Sequence, residues 1–292
     1  MKKRSQYANK DYTKAMLPQT RRAVFFDVMP LQWKSLLLLG VILLLFFLPL
    51  LLSILVKDIY ITNVYQMLEN ADETQRLTSS QILLCLNILR SLVNTLFLVI
   101  LGVALSGVLR VIRQYAWGEN VHLPTDFPKG IKDNFSQTAA ICGLAGLIYT
   151  LCLAVFYTAG SYATPFLSML SMLPIPLSAL IVLPVFAIAL VMVPVYNNRL
   201  GGTLKNSFLV YIRALLKCLL GLAGCMLIWV PAMLPNFYCH ILGSILAILL
   251  TPMALLAWTL FCYDLFDIHI NPQVAPELIG KGTYPPTQEM AD

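Results

Sequence analysis

Charge is scarce in this chain of 292 residues. Only 12% of its residues are charged, whereas a typical soluble domain has about a quarter. Hydrophobic residues make up 59% of the chain, and they occur in long runs without charge. Such runs are typical of membrane-spanning segments. The composition therefore argues against an ordinary soluble domain and predicts an integral membrane protein.

Residues that carry enzyme chemistry are also few. The chain has three histidines and seven cysteines; the histidines are far apart, and no C-x-x-C motif occurs, so neither a zinc site nor a disulfide framework is predicted. No glycine-rich phosphate loop, nucleophile elbow or H-E-x-x-H motif is present. We therefore expect no enzymatic activity, no catalytic residues, no cofactor and no metal. The net charge of +6 reads as a topology signal, and we expect no nucleic-acid partner.

The apolar runs predict an all-α polytopic membrane protein with six transmembrane helices. The predicted spans are residues 35–56, 81–105, 136–158, 173–196, 208–234 and 241–263. Together they form a membrane domain over residues 35–264, between a basic N-terminal region with an interfacial segment (1–34) and a tail (265–292).

Three local features refine these spans. The helical pattern of the second span continues past its apolar part to Trp117, which predicts a helix that protrudes from the membrane. In the third span, Gly143 and Gly146 are spaced to allow close helix packing. In the fourth span, Pro184 is expected to kink the helix because proline lacks a backbone N–H and its ring clashes with the preceding turn.

Lysine and arginine are distributed unevenly between the two sides of the predicted membrane domain. Of the 20, 17 fall on the side of the N terminus and two, Lys57 and Arg76, on the opposite side. The positive-inside rule then places both termini in the cytoplasm. We expect a multi-pass protein of the cell (plasma) membrane.

One charge falls within an apolar run. Asn87, Arg90 and Asn94 have the spacing i, i+3, i+7 and share one face of the second span. If that helix enters the membrane at Gln81, Arg90 lies about 14 Å deep, at a cost of about 3 kcal/mol. None of the predicted spans contains a carboxylate, so the three residues are candidates for binding an anion or a lipid phosphate. A register with Ser91–Leu109 as the span instead puts Arg90 among the outer headgroups, and the sequence leaves both registers open.

A second polar group follows the second span. Arginines and aromatic residues meet there at the predicted inner interface, where anionic headgroups attract the charges and aromatic rings prefer to lie. Because polar, motif-like sequence concentrates in this segment, we predict that it forms a partner surface. The candidate residues are Arg110, Arg113, Trp117, Glu119, Asn120, Lys129 and Lys132.

The inner ends of the last two spans are expected to be joined by a structural ion pair. Arg213 and Lys217 are one helical turn apart, and Asp264 and Asp267 follow the last span. Both pairs lie on the same predicted side of the membrane. We interpret them as structural rather than as a transport site.

The order of these features resembles the YesL-like family of bacterial integral membrane proteins, a domain of unknown function, over about residues 20–270. The motifs that carry the resemblance are Arg110-x-x-Arg113-x-x-x-Trp117-Gly118-Glu119-Asn120, Asp126-Phe127-x-Lys129-Gly130-Ile131-Lys132-x-Asn134, and Val193-Pro194-Val195-Tyr196 followed by Leu204-Lys205-Asn206-Ser207-Phe208. The resemblance implies an accessory or regulatory protein linked to ABC-type carbohydrate uptake, with ABC transporter subunits or another membrane protein as partner. It supplies no catalytic residues.

Two functional hypotheses follow from the sequence. In the first, the chain is a non-enzymatic accessory membrane protein that docks through the segment around Trp117. In the second, it is a small transporter or lipid-binding protein that uses Arg90. The sequence leaves open whether the protein forms a homo-oligomer within the lipid bilayer.

Overall fold

The computed structural model describes residues 18–69, 73–158, 164–196, 198–234 and 237–284. The predicted basic N-terminal region before Pro18 and the tail after Tyr284 lie outside these residues. The described part is helical, without strands. Six of its helical stretches are long and apolar enough to cross a membrane, which agrees with the predicted number of spans: Arg21–Ser53, Leu84–Ala116, Leu123–Thr158, Pro165–Met192, Leu215–Met233 and Tyr238–His269.

The helices run further than the apolar runs do. Helix α1 covers Arg21–Glu69, α2 covers Glu73–Ala116 and α3 covers Leu123–Thr158. The stretch before Lys34, expected to be a separate interfacial segment, is the continuous start of α1. Hydropathy marks the part of a helix that lies in lipid, whereas backbone hydrogen bonding continues into polar sequence. The prediction that α2 continues beyond its apolar part is confirmed.

The fourth span is built from short pieces: α4 (Pro165–Met172), α5 (Pro174–Leu177), a π-helical segment (Ser178–Val182) and α6 (Leu183–Met192). Pro184 lies two residues after the end of the π-helical segment, in agreement with the predicted disruption. Because proline has no N–H, it cannot bond the carbonyl of Leu180 four residues earlier. The Tyr211 hydroxyl donates a hydrogen bond to that carbonyl instead.

The fifth span differs from its prediction of residues 208–234. Helix α7 (Leu200–Arg213) packs on α6, and the chain bends at Ala214, where φ is −128° and ψ is 32°. The span itself starts at Leu215 with α8 (Leu215–Met226) and continues in a 3₁₀ segment (Leu227–Met233). The bend divides the predicted run, in which Val210 and Tyr211 are buried whereas Phe208, Leu209 and Ile212 are exposed.

The last span is α9 (Phe237–His269), followed by the short α10 (Asn271–Val274) and a 3₁₀ turn (Pro276–Leu278). It packs against α1 along most of its length. At Gly40 of α1 an added Cβ would lie 2.3 Å from the carbonyl oxygen of Leu249, so the two backbones touch directly. The core between these helices is filled by fully buried side chains: Leu36, Leu39, Leu43, Val108, Ile112, Ile188, Leu256 and Phe266.

The contact between α2 and α3 is the most extensive between two elements of the described chain. Glycines line it, as predicted: a Cβ at Gly146 would lie 2.7 Å from the Thr95 hydroxyl, and one at Gly143 would lie 3.1 Å from Val99. Beside them, the Ser91 and Thr150 hydroxyls are 2.8 Å apart and hydrogen-bonded. Small residues and hydroxyl pairs are the usual means of joining helices in lipid.

Candidate functional site at the basic end

The end of the bundle where α1 begins and α2, α6 and α9 finish is called the basic end. The loop 117–122 lies there between α2 and α3. Gly118 adopts φ of 66°, which glycine reaches without strain, and the Glu119 amide donates 2.8 Å to the carbonyl of Gln114, closing the end of α2. This turn places Trp117 and Glu119 side by side. Because α3 starts at Leu123, Lys129 and Lys132 are helix residues rather than loop residues.

The indole ring of Trp117 contacts two cations and another aromatic ring. The Lys281 ammonium is 3.7 Å from the ring centroid and the Arg113 guanidinium carbon is 4.7 Å from it. The Tyr263 ring centroid lies 6.1 Å away. Cations over an indole face are attracted by its negative quadrupole. Arg21 donates a hydrogen bond to the backbone carbonyl of Lys281. Trp117, Glu119 and Arg21 are together called the Trp117 site.

Residues 275–284, called the strap, lie across the Trp117 site. The Lys281 ammonium is 3.6 Å from a Glu119 carboxylate oxygen, and the Lys281 carbonyl accepts a hydrogen bond from Arg21. Gly282 has φ of 89°, and a Cβ there would lie 2.2 Å from the carbonyl oxygen of Ala116. The Tyr284 amide donates 2.9 Å to the carbonyl of Pro18. The strap therefore links the start of α1 to the end of α2.

A buried hydrogen-bond network lies next to the strap. Arg21 donates 2.7 Å to Asp267, the Asn271 amide donates 2.7 Å to the other oxygen of Asp267, and the Tyr196 hydroxyl donates 2.5 Å to Asn271. Burial raises the pKa of Tyr196, and the Asp267 carboxylate raises it further. Its phenol therefore stays protonated and remains a donor. The network ties α1, the segment after α6, and the end of α9 together.

Arg21, rather than Arg213 or Lys217, is the partner of the two aspartates. It lies 2.7 Å from Asp267 and 3.9 Å from Asp264, whereas Arg213 makes only a long, 3.4 Å bond to the carbonyl of His269. The predicted ion pair was wrong because the sequence argument considered only the last two spans. The packing of α1 against α9 brings in a cation from the other end of the chain.

The predicted partner surface is partly used inside the molecule. Arg110 donates 2.7 Å to Asp133, and Arg113 donates 2.6 Å to the carbonyl of Pro194. Asn120, Lys129 and Lys132 are exposed. Neither lysine has a carboxylate within ion-pair distance among the residues that the structure describes. The structure thus gathers Arg113, Trp117 and Glu119 in one place and leaves the lysines on the surface of α3.

Two cavities lie at the basic end. One, of about 10 Å³, is bounded by the network and by Trp117 and Tyr263, and is only about as large as one water molecule requires. The other is an open cleft of about 500 Å³ beside Arg21, Arg22 and Asp264. The strap and Arg21 were not among the residues predicted from sequence. The only sequence signal was Gly280-Lys281-Gly282, which marks an irregular turn around a cation.

Arg90 lies at the opposite, far end of the bundle and bonds to α1. Its Nε is 3.2 Å from both the carbonyl oxygen and the hydroxyl of Ser53. Arg90 precedes Arg110 by about 30 Å along α2, close to the full hydrocarbon thickness. If Arg110 lies at one boundary of the hydrocarbon, Arg90 lies near the other, as in the second of the two registers. Ser53 is the only hydroxyl residue in 36–56, a signal that could have identified this partner.

The neighbours of Arg90 on the same helix face differ from each other. Asn87 is half-buried and engaged in an interaction. The side-chain oxygen of Asn94 is buried and has no hydrogen-bond partner among the described residues. The predicted anion or lipid site thus retains one unsatisfied acceptor, whereas an anion would require a donor.

Among the residues that the structure describes, no group of three or more His, Cys, Asp and Glu is arranged to hold a metal ion. Comparisons with protein-family models, with curated proteins and with solved structures found no match to this chain. The YesL-like resemblance therefore stays a prediction.

Proposed function

We propose that this chain is a non-enzymatic integral membrane accessory or regulatory protein that contacts a partner protein through its basic end. The observation that carries the proposal is the occupied Trp117 site. An indole ring, a carboxylate and a guanidinium there bind a peptide segment of consecutive turns, the strap, by its ammonium and its backbone. Aromatic and arginine side chains that hold such a segment are typical of protein recognition sites.

The location of the protein is part of the proposal. Six apolar helical stretches support a multi-pass membrane protein. We infer the plasma membrane and cytoplasmic termini from the lysine and arginine distribution. The basic end, with Lys129, Lys132, Arg199 and Lys205 exposed, would then face the cytoplasm. The link to ABC-type carbohydrate uptake, and ABC transporter subunits as partners, rests on the family resemblance alone.

The test compares two conservative variants, Glu119→Gln and Asp133→Asn. Each removes one charge from a surface ion pair at the basic end, but only Glu119 belongs to the Trp117 site. Tagged wild-type protein is cross-linked in its native membrane, and co-purified membrane proteins are quantified. We expect Glu119→Gln to reduce recovery of the wild-type partner at least fivefold and Asp133→Asn to leave it unchanged. Equal recovery from all three proteins would contradict the proposal.

A second candidate function is lipid binding or transport at Arg90. The oxygen of Asn94 one turn away is buried and unsatisfied, and a lipid headgroup that carries a donor, such as an ammonium, would satisfy it. The bonds from Arg90 to Ser53 weigh against this candidate, because they already engage the guanidinium. The Arg90→Gln protein, purified in folded form, should then carry less bound phospholipid than wild type in native mass spectrometry. The same lipid content in both proteins would rule the candidate out.

A further inference from the structure

We propose that the Trp117 site recognises a Lys-Gly segment folded into a turn, that the chain's own strap fills it in cis, and that a partner segment of the same chemistry binds by displacing the strap. This inference rests on the proposed function and adds the chemistry of the partner and its regulation. It is argued from three separate contacts of the strap. One involves the ammonium, one the backbone carbonyl and one the glycine.

The ammonium contact selects lysine at the first position. Lys281 lies 3.7 Å from the Trp117 ring centroid and 3.6 Å from the Glu119 carboxylate, so one ammonium satisfies both the ring and the acid. A neutral side chain would leave the carboxylate unpaired beside the ring. A carboxylate in the same place would repel Glu119. The site is therefore specific for a cation on a flexible stem.

The backbone contacts select glycine at the second position. At Gly282 the strap approaches Ala116 so closely that a Cβ would lie 2.2 Å from its carbonyl oxygen and 2.8 Å from the Cα of Trp117. The φ of 89° adds a second restriction, since left-handed backbone costs other L-residues about 1–2 kcal/mol. Arg21 donates a hydrogen bond to the carbonyl of Lys281, the residue before Gly282. These contacts involve the main chain, so they require a turn with glycine at this position.

The strap is held firmly enough to fill the site, yet weakly enough to leave. Glu119 and Lys281 side chains are 36% and 38% exposed, and exposed ion pairs contribute about 0–1 kcal/mol. Its attachment in cis nevertheless gives it an effective concentration in the millimolar range. A free segment therefore competes poorly with an intact strap and binds well once the strap is displaced.

The experiment uses the full chain in detergent and a fluorescent peptide of residues 277–284, ELIGKGTY. Gly282→Ala displaces the strap by steric clash, and Gly201→Ala is the matched control because a Cβ there meets nothing within 4 Å. By fluorescence anisotropy, we expect the peptide to bind Gly282→Ala at least tenfold more tightly than wild type or Gly201→Ala. Peptides with Lys281→Gln or Gly282→Ala should lose at least tenfold in affinity for the opened protein.

A second variant makes the result independent of how Gly282→Ala folds. Lys281→Gln removes the cation without a clash, so it should keep the wild-type melting temperature and still bind the peptide more tightly than wild type does. The inference is overturned if the peptide binds no variant, binds wild type equally well, or tolerates loss of its lysine. This assay contains no partner protein. If the peptide binds as expected but Glu119→Gln leaves partner recovery unchanged, the proposed function is rejected and the inference about the strap stands.

Discussion

Asp267 should contribute far more to stability than Asp264, although both face the same arginine. The Arg21 side chain is only 4% exposed; Asp267 is 18% exposed at 2.7 Å from it, and Asp264 is 55% exposed at 3.9 Å. Removing one member of a buried pair costs about 3–5 kcal/mol, because the other charge stays buried. Arg21 keeps its bond to the Lys281 carbonyl, so we expect Asp267→Asn to lower the free energy of unfolding by about 2–3 kcal/mol.

The same site provides a control variant and a double-mutant cycle. Asp264→Asn removes the same charge from an exposed position and should cost less than about 0.5 kcal/mol. Unfolding is followed by circular dichroism in one detergent for Asp267→Asn, Arg21→Met and the double variant. Once Arg21 is replaced, its buried charge can no longer be left unpaired, so Asp267→Asn should cost at least about 1 kcal/mol less than it does alone.

Two results would refute this reasoning. Equal destabilisation by Asp264→Asn and Asp267→Asn would mean that burial of the pair does not decide its energy. Additive losses in the double variant would mean that Arg21 and Asp267 do not interact in the folded protein. Arg213→Gln, at the position where the sequence had predicted the partner cation, should leave stability within about 0.5 kcal/mol of wild type.

Three further predictions concern the membrane spans, each measured as a change in the free energy of unfolding in detergent. Tyr211→Phe should cost about 1–3 kcal/mol, because the Leu180 carbonyl, which Pro184 leaves without a backbone donor, loses the Tyr211 hydroxyl as well. In a Pro184→Ala background, which can restore a backbone N–H, the cost should fall below about 0.5 kcal/mol. An equal cost in both backgrounds would contradict this account. Gly146→Ala should cost about 1–3 kcal/mol by pushing α2 and α3 apart. Gly224→Ala is the control: because the space around Gly224 is open, this variant should be neutral or stabilising. Equal effects of the two variants would show that glycine contacts do not set helix spacing. Arg90→Leu should cost about 1 kcal/mol through its lost bonds to α1; a gain in stability would instead place the guanidinium in the hydrocarbon centre.

The membrane architecture could be predicted because it depends on long, local patterns. A run of about 20 apolar residues is visible in one window of sequence, and the spacing of Gly143 and Gly146 is visible within a single turn. Both predictions agree with the structure. The helix ends and the fifth span were less accessible, because Val210 and Tyr211 are apolar for a reason other than lipid: they pack on α6.

The candidate site could be predicted only in part, because its contacts join residues that are distant along the chain. Trp117 and Glu119 are neighbours in sequence and were identified together. Arg21 meets Asp267 across 246 positions, and Lys281 reaches Glu119 from the other end of the chain. No local spacing encodes such a pair; it depends on how α1 and α9 pack.

The hydrogen bond between the amide of Tyr284 and the carbonyl of Pro18 also has a consequence for biosynthesis. Proteins are made from the N terminus, and the earlier parts of a chain fold first during synthesis. The first five spans can therefore be inserted before the strap has emerged from the ribosome. Until then Arg21 lacks both Asp267 and the carbonyl that the strap supplies, and the Trp117 site is open. Closure of the Trp117 site by the strap thus follows insertion of these spans.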